Sequence, residues 1–314
     1  MKQNVLGNTG IEVTELCFGA LPMGPLQKNQ PADFNARLTA EAINSGINFI
    51  DTAQMYQTYT PVREAMKLTG KRPVIASKST AADFDAMQEA IDEALEKLEI
   101  DYIDIFHMHA ARAAPDIFQQ RSEALKCLKE NKLAGKVRAI GISCHSPKVV
   151  SAAAEREDID VVFALISLGG IGIINGTRED MERAIEQCSD AGKGVYLMKV
   201  LGGGNYVDNY ADCLEYARSL KGYHSISIGM VSMEEIDCNV RYFSGQRENL
   251  PKLQGFSKRF QVVRIVCTAC GKCIETCPNE AISMRDGKAD ISSDKCLQCG
   301  YCVSACPQFA IRKV

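Results

Sequence analysis

Eight of the fourteen cysteines in this 314-residue chain crowd into its last 48 residues. They read Cys267-x2-Cys270-x2-Cys273-x3-Cys277-Pro278 and Cys296-x2-Cys299-x2-Cys302-x3-Cys306-Pro307. Soft thiolates at this spacing suit 4Fe-4S clusters: three cysteines on a tight loop hold three irons of a cube, and the fourth of each run reaches the other cube. By that rule one cluster takes Cys267, Cys270, Cys273 and Cys306, and the second takes Cys296, Cys299, Cys302 and Cys277. Zinc also accepts four thiolates, but zinc ribbons rarely carry a third cysteine at x2 and a fourth at x3 before proline. Clusters that merely hold a small unit together are the other reading, because a segment of about 50 residues makes a poor hydrophobic core.

A second set of candidates is spread along the first 245 residues, each directly behind a short apolar run. These are Asp51, Lys78, His109, Ser143-Cys144-His145 and Lys199, then Gly202-Gly203-Gly204, and Gly229 with Ser232. Tyr56 sharpens the set. A free phenol titrates near pH 10, so proton transfer close to neutrality calls for a nearby cation, and Lys78 can supply it. Asp51 would keep Lys78 charged and oriented, while His109 hydrogen-bonds a substrate oxygen. The glycines and Ser232 suit a phosphate group, although Ser232 as a simple helix cap is an equal reading.

The elements that must position these residues follow from the pattern. Two apolar runs around Asn8-Thr9-Gly10 predict a β-hairpin. Eight strands follow, at Glu15-Leu16-Cys17-Phe18, Asn48-Phe49-Ile50, Val74-Ile75-Ala76, Tyr102 to Phe106, Val137 to Ile140, Val161-Val162-Phe163, Val195 to Met198 and Ser225 to Ile228. Helical patterns separate them. The clearest covers 84–99, with Met87, Ile91, Ala94 and Leu95 on one face and Asp85, Glu89, Asp92 and Glu96 on another. Eight such units predict an α/β fold of the (β/α)8 barrel type, in which polar residues at strand C-termini converge on one rim. An open doubly wound sheet is disfavoured, since Gly7-x2-Gly10 lies in the hairpin and no dinucleotide fingerprint follows the first strand. The division predicted is a barrel over 1–245, a linker over 246–262 and a small α+β cluster domain over 263–314.

Composition narrows the partners. Charged residues make up 24% and the net charge is -3, which argues against a nucleic-acid surface. No stretch approaches the roughly 20 apolar residues of a membrane helix, and Met1-Lys2-Gln3-Asn4 leads into structured sequence, so a cytoplasmic protein is expected. The scattered Cys17, Cys127, Cys144, Cys188, Cys213 and Cys238 read as small buried hydrophobes. His107, two residues before His109 on one strand face, reads as a core histidine.

About residues 263 to 314 resemble the dicluster bacterial ferredoxins. Across a 29-residue offset Gly271/Gly300, Pro278/Pro307, Ala281/Ala310 and Ile282/Ile311 also match, an internal repeat. Residues 1 to 245 resemble the aldo-keto reductase family. The resemblance is carried by Asn48-Phe49-Ile50-Asp51-Thr52-Ala53-Gln54-Met55-Tyr56, Ala76-Ser77-Lys78, Asp101 through His109, and Gly141-Ile142-Ser143. It implies a tetrad of Asp51, Tyr56, Lys78 and His109, hydride from NAD(P)H, and Tyr56 as the acid that protonates a carbonyl oxygen. It also implies Ser143, Lys199, Gly203, Gly229, Ser232 and Asn239 as cofactor-binding residues. The chain departs from the family where nicotinamide is gripped. Cys144 stands for the usual Asn, Phe163 for the Gln and Met198 for the stacking aromatic, and Gly229 to Glu235 lacks the base that meets an NADP phosphate.

The function expected is therefore an iron-sulfur oxidoreductase acting on a small carbonyl or alcohol, with electron transfer through two 4Fe-4S clusters and a redox partner protein. Two alternatives stay open. One is an electron-transfer adaptor with a vestigial barrel site; the other is a barrel enzyme fed directly by the clusters without nicotinamide. Substrate choice would lie in rim loops such as Leu21 to Pro31 and Gly169 to Thr177.

Overall fold

The computed structural model describes residues 1–251, 253, 259–308 and 310–313. The hairpin expected at the start is present: β1 (Gln3–Val5) pairs antiparallel with β2 (Glu12–Thr14) across a turn that ends on left-handed Gly10. Eight parallel strands then close into a barrel: β3 (Leu16–Gly19), β4 (Phe49–Asp51), β5 (Val74–Ser79), β6 (Ile103–His109), β7 (Val137–Cys144), β8 (Val161–Leu165), β9 (Gly194–Met198) and β10 (Ser225–Gly229), with β10 paired to β3.

The outer helices are α1 (Ala32–Asn44), α2 (Tyr59–Thr69), α3 (Phe84–Leu98), α4 (Ile117–Gln120), α5 (Ser122–Leu133), α6 (Pro147–Ala154), α7 (Arg178–Asp190), α8 (Tyr210–Ser219) and α9 (Met233–Phe243). Local chemistry explains their limits. Asp83 caps α3 by accepting the Ala86 N–H at 2.9 Å, and Met87, Ala90, Ile91, Ala94 and Leu98 bury the helix's apolar stripe. Thr177 and Asp180 form a reciprocal capping box at the start of α7.

Strand alternation sorts the barrel into two cores. In β8, Val162 and Ala164 face the helices while Val161, Phe163 and Leu165 face the lumen. In β9, Val195 and Leu197 point outward and Tyr196 and Met198 inward. The lumen core is completed from outside the barrel at both ends. Leu6, Ile11 and Val13 of the hairpin close the end where the strands begin, and Leu297 of the C-terminal unit reaches the other. The six scattered cysteines are all buried.

The C-terminal unit contains β11 (Phe260–Val262), α10 (Lys272–Thr276), β12 (Ile282–Arg285), β13 (Lys288–Ile291), α11 (Tyr301–Ala305) and β14 (Ile311–Lys313). β11 pairs with β14 and β12 with β13, both antiparallel. The expected linker 246–262 thus needs a correction at its end: 260–262 is a strand of this unit, because Phe260 is buried in its core. Residues 252 and 254–258 of that stretch lie outside the described residues. Among the described residues no helix is long and apolar enough to cross a membrane.

Candidate active site

The C-terminal ends of the barrel strands surround a cavity lined by Asp51, Tyr56, His109, Ser143, Phe163 and Met198. Asp51 ends β4, Lys78 is the penultimate residue of β5 and His109 ends β6, so parallel register brings three separate segments to one rim. Tyr56 follows on a single 3-10 turn, Gln54–Tyr56.

Lys78 is 1% exposed and gives all of its hydrogens to oxygen: Asp51 Oδ1 at 2.7 Å, Asp51 Oδ2 at 2.8 Å and the Thr52 carbonyl at 2.7 Å. Burial pushes the Asp51 carboxyl up and the Lys78 ammonium down, and each partner's charge opposes the other's shift. A salt bridge this deep is held by its extra hydrogen bonds. The ammonium lies over the Tyr56 ring, 4.8 Å from its centre, instead of at its hydroxyl.

Burial first, then Tyr301 and Asp51, raises Tyr56 well above the usual phenol range and outweighs the lowering effect expected of Lys78. Burial also holds His109 well below the usual imidazole range, so it is neutral, with neighbouring Lys78 acting in the same direction.

Sequence reasoning missed Tyr196. Its hydroxyl donates to Asp51 Oδ2 at 3.0 Å and meets His107 Nε2 at 2.7 Å, and its ring stacks on Phe163 at 3.9 Å. The signal was available, since Tyr196 and Met198 alternate into the lumen. His107 lies in the lumen against Gly141, where any side chain would strike the imidazole. Tyr301 was also missed, and nothing in the sequence signals it. It belongs to α11 in the C-terminal unit, yet its hydroxyl stands 3.4 Å from the Tyr56 hydroxyl and 3.2 Å from His109 Nε2.

The C-terminal unit therefore sits over the barrel mouth. Arg112 donates to the carbonyls of Ile274 at 2.9 Å and Glu275 at 3.0 Å and pairs with Glu280 at 3.2 Å. His145 is also on the cavity wall.

The cysteines group in two sets. Cys267, Cys270, Cys273 and Cys306 line one cavity, and Cys277, Cys296, Cys299 and Cys302 line a second. Backbone N–H groups point at the sulfurs symmetrically: Ala281 to Cys277 and Ala310 to Cys306, each at 3.3 Å. Such N–H···S contacts are typical of cluster ligands. Among the described residues no group of His, Cys, Asp or Glu converges on a point that one metal ion could fill. Four sulfurs on the wall of a cavity suit a cube better than a single zinc.

The residues expected to bind NAD(P)H fare differently. Ser143, Lys199, Gly203, Gly229 and Asn239 line the mouth cavity; Ser232 is not on its wall and caps α9 by accepting the Glu235 N–H at 3.2 Å. Asn239 is engaged within the fold, accepting from Tyr210 at 2.9 Å and donating to the Glu235 carbonyl at 2.7 Å. Gly203 packs against the Leu297 carbonyl so closely that no side chain would fit between them. Ser143 and His145 stand on this wall beside apolar Phe163, Met198 and Leu297, and those three side chains offer a carboxamide no hydrogen bond. These residues do not fit a nicotinamide.

Comparison with known proteins agrees with the architecture. Residues 15–221 match the aldo/keto reductase family and residues 266–310 match the 4Fe-4S dicluster domain. L-galactose dehydrogenase of Arabidopsis thaliana is 26% identical over 277 residues, which cover 75% of this chain and 86% of that protein. The 6-dehydroglucose reductase of Novosphingobium aromaticivorans is 30% identical over 168 residues, 47% of this chain and 53% of its own length. Among solved structures, an aldo-keto reductase from Bacillus halodurans superposes with a TM-score of 0.63 at 20% identity, over 81% of this chain and 92% of that one.

Proposed function

The chain belongs to the aldo/keto reductase family and carries a C-terminal 4Fe-4S dicluster domain, and from that premise we propose that it interconverts a small carbonyl compound and its alcohol in the barrel mouth, with Tyr56 as the acid. One observation supports this reading above the rest: Tyr56 and His109 present a hydroxyl and a ring nitrogen to the same point, where both meet the Tyr301 oxygen. A substrate oxygen displacing the Tyr301 hydroxyl from that point would accept from Tyr56 while His109 fixed its position.

Each residue's part follows from its surroundings. Tyr56, kept protonated by burial, gives its hydrogen to the carbonyl oxygen as charge develops there. The phenolate left behind lies in the field of the Lys78 ammonium, which sits on its ring face and is itself held by Asp51. Tyr196 steadies Asp51 from the opposite side. His109, neutral, hydrogen-bonds without competing as an acid. Cys267, Cys270, Cys273 and Cys306 would hold one cluster and Cys277, Cys296, Cys299 and Cys302 the other. Bound clusters exchange electrons one at a time. The carbonyl or alcohol named here agrees in kind with the dehydrogenase and reductase names of the two relatives.

Tyr56→Phe tests this directly, since it removes one oxygen from a packed ring. Carbonyl turnover by the cluster-loaded protein should fall by about 100-fold or more, the usual size of a lost general acid, with cluster absorbance unchanged. Undiminished turnover would instead remove Tyr56 from the role of acid.

A further inference from the structure

We infer that the loop Cys296–Tyr301 occupies the place a nicotinamide would take in the barrel mouth, so that the second cysteine group is the redox partner of the Tyr56 site.

Leu297 carries the first part of the argument. It is 2% exposed and belongs to the lumen core with Phe163, Leu165 and Met198, with Ile171 and Ile173 packed alongside. The apolar side chains at 163 and 198, where the family resemblance leads one to expect an amide and an aromatic ring, thus have a guest of matching chemistry. Burying an isobutyl group on this wall is favourable, and a carboxamide there would lose hydrogen bonds to water without replacing them.

The loop is fitted into the rim on several sides. Asn205 donates to the Cys296 carbonyl at 3.0 Å and accepts from Gln298 at 3.3 Å. Gly172 has no room for a side chain beside the Leu297 methyl groups, nor has Gly300 beside the Leu26 carbonyl. Lys199, held in the left-handed region at φ 59°, lines the same cavity, and its ammonium acts electrostatically on Cys296 and Cys299.

The internal repeat supplies an independent comparison. Cysteines, glycines and prolines match across the 29-residue offset, but the positions that enter the barrel do not. Leu297 and Tyr301 of the second run correspond to Thr268 and Lys272 of the first, which are both exposed. Gly300 is wedged against the barrel, whereas its counterpart Gly271 has open space around it. Cys270 is exposed and its counterpart Cys299 is buried. One run faces water and the other faces Tyr56, so electrons have an outer and an inner terminus.

The balance differs from hydride transfer. Reducing a carbonyl to an alcohol consumes two electrons and two protons. Clusters held by these cysteines would supply the electrons singly, and an external one-electron donor protein would replace them. One proton would pass from Tyr56 to oxygen, and the other would pass from water to carbon; Tyr56 would then regain its proton from solvent. The inference rests on the proposed reaction only for this destination.

The test uses the full chain with both clusters reconstituted without oxygen. Calorimetric titration with NADH and with NADPH should show no saturable heat; saturable binding of either would overturn the inference. Potentiometric titration followed by electron paramagnetic resonance then compares wild type with Lys199→Met. Removing a cation beside one cluster disfavours its more negative reduced form, so the midpoint of one cluster should fall while the other stays fixed. Unchanged midpoints for both would also overturn it. Tyr301→Phe, which keeps the ring, provides a second variant and should alter the resonance of the same single cluster; unaltered spectra in it count against the inference. Neither measurement needs substrate, so loss of the Tyr56 effect and loss of the cluster effect are told apart.

Discussion

The two ends of the barrel lumen are closed by segments that do different work. At the end where strands begin, the β1–β2 hairpin inserts Leu6, Ile11 and Val13, all essentially inaccessible, and ties itself down through Asn48, whose side chain accepts the Thr14 N–H at 2.6 Å and donates to the Glu12 carbonyl at 3.1 Å. At the opposite end Leu297 makes an equally apolar plug, but the residues that follow it bring Cys299 and the Tyr301 hydroxyl to Tyr56 and His109. A lumen needs filling at both ends. Only at the end where strand C-termini gather polar side chains can the filler also take part in chemistry.

The largest expected effect separates the ends by their dependence on metal. Iron chelation should unfold residues 260–313, whose small core includes Cys267, Cys273, Cys277 and Cys302, while the hairpin and barrel remain folded. Hydrogen exchange would show protection lost only in that segment; cooperative loss through Leu6 and β3 would break the distinction.

Truncating the plugs should come next. Leu6→Ala leaves a sealed cavity and should lower barrel stability in urea by about 2–5 kcal/mol. Leu297→Ala opens into the mouth cavity, where water can enter, and should cost about 1–3 kcal/mol, near the transfer term alone. Equal losses would mean that the mouth is as sealed as the base.

The smallest effect is acid sensitivity. Burial, reinforced by Lys199, pushes the His145 imidazole at the mouth down to about 3, and burial lowers His224 at the base by a smaller amount. A histidine whose folded pKa is depressed binds its proton only after unfolding. Its contribution is therefore complete above about pH 6.5 and fades, at about 1.4 kcal/mol per pH unit, as the pH falls toward 3. His145→Asn should flatten the acid limb of the stability curve between those limits, and His224→Asn should flatten it less. An unchanged limb in His145→Asn would show that folding does not hold this imidazole neutral.

How much of this was legible in sequence depends on the range of the interaction involved. Period-two runs located β3 to β10, since strand burial repeats locally. Asp51, Lys78 and His109 were legible as polar residues ending apolar runs. The electrostatic state of Tyr56 was not, because it depends on how Lys78 spends its three hydrogens and on a ring 245 residues away. The strand Phe260–Val262 was hidden for a similar reason: its partner, Ile311–Lys313, lies at the far end of the small unit.

By itself the sequence determined the barrel, the two cysteine sets and the identity of the polar rim, because spacing along the chain encodes periodic burial and ligand reach. Tertiary structure alone decided that Leu297 and Tyr301 enter the mouth, that Tyr56 stays protonated and that one cysteine run faces the site while its near-copy faces solvent. Those outcomes depend on the packing of two units against each other, and the energy of such contacts is a property of the pair of surfaces, with no local repeat to announce it.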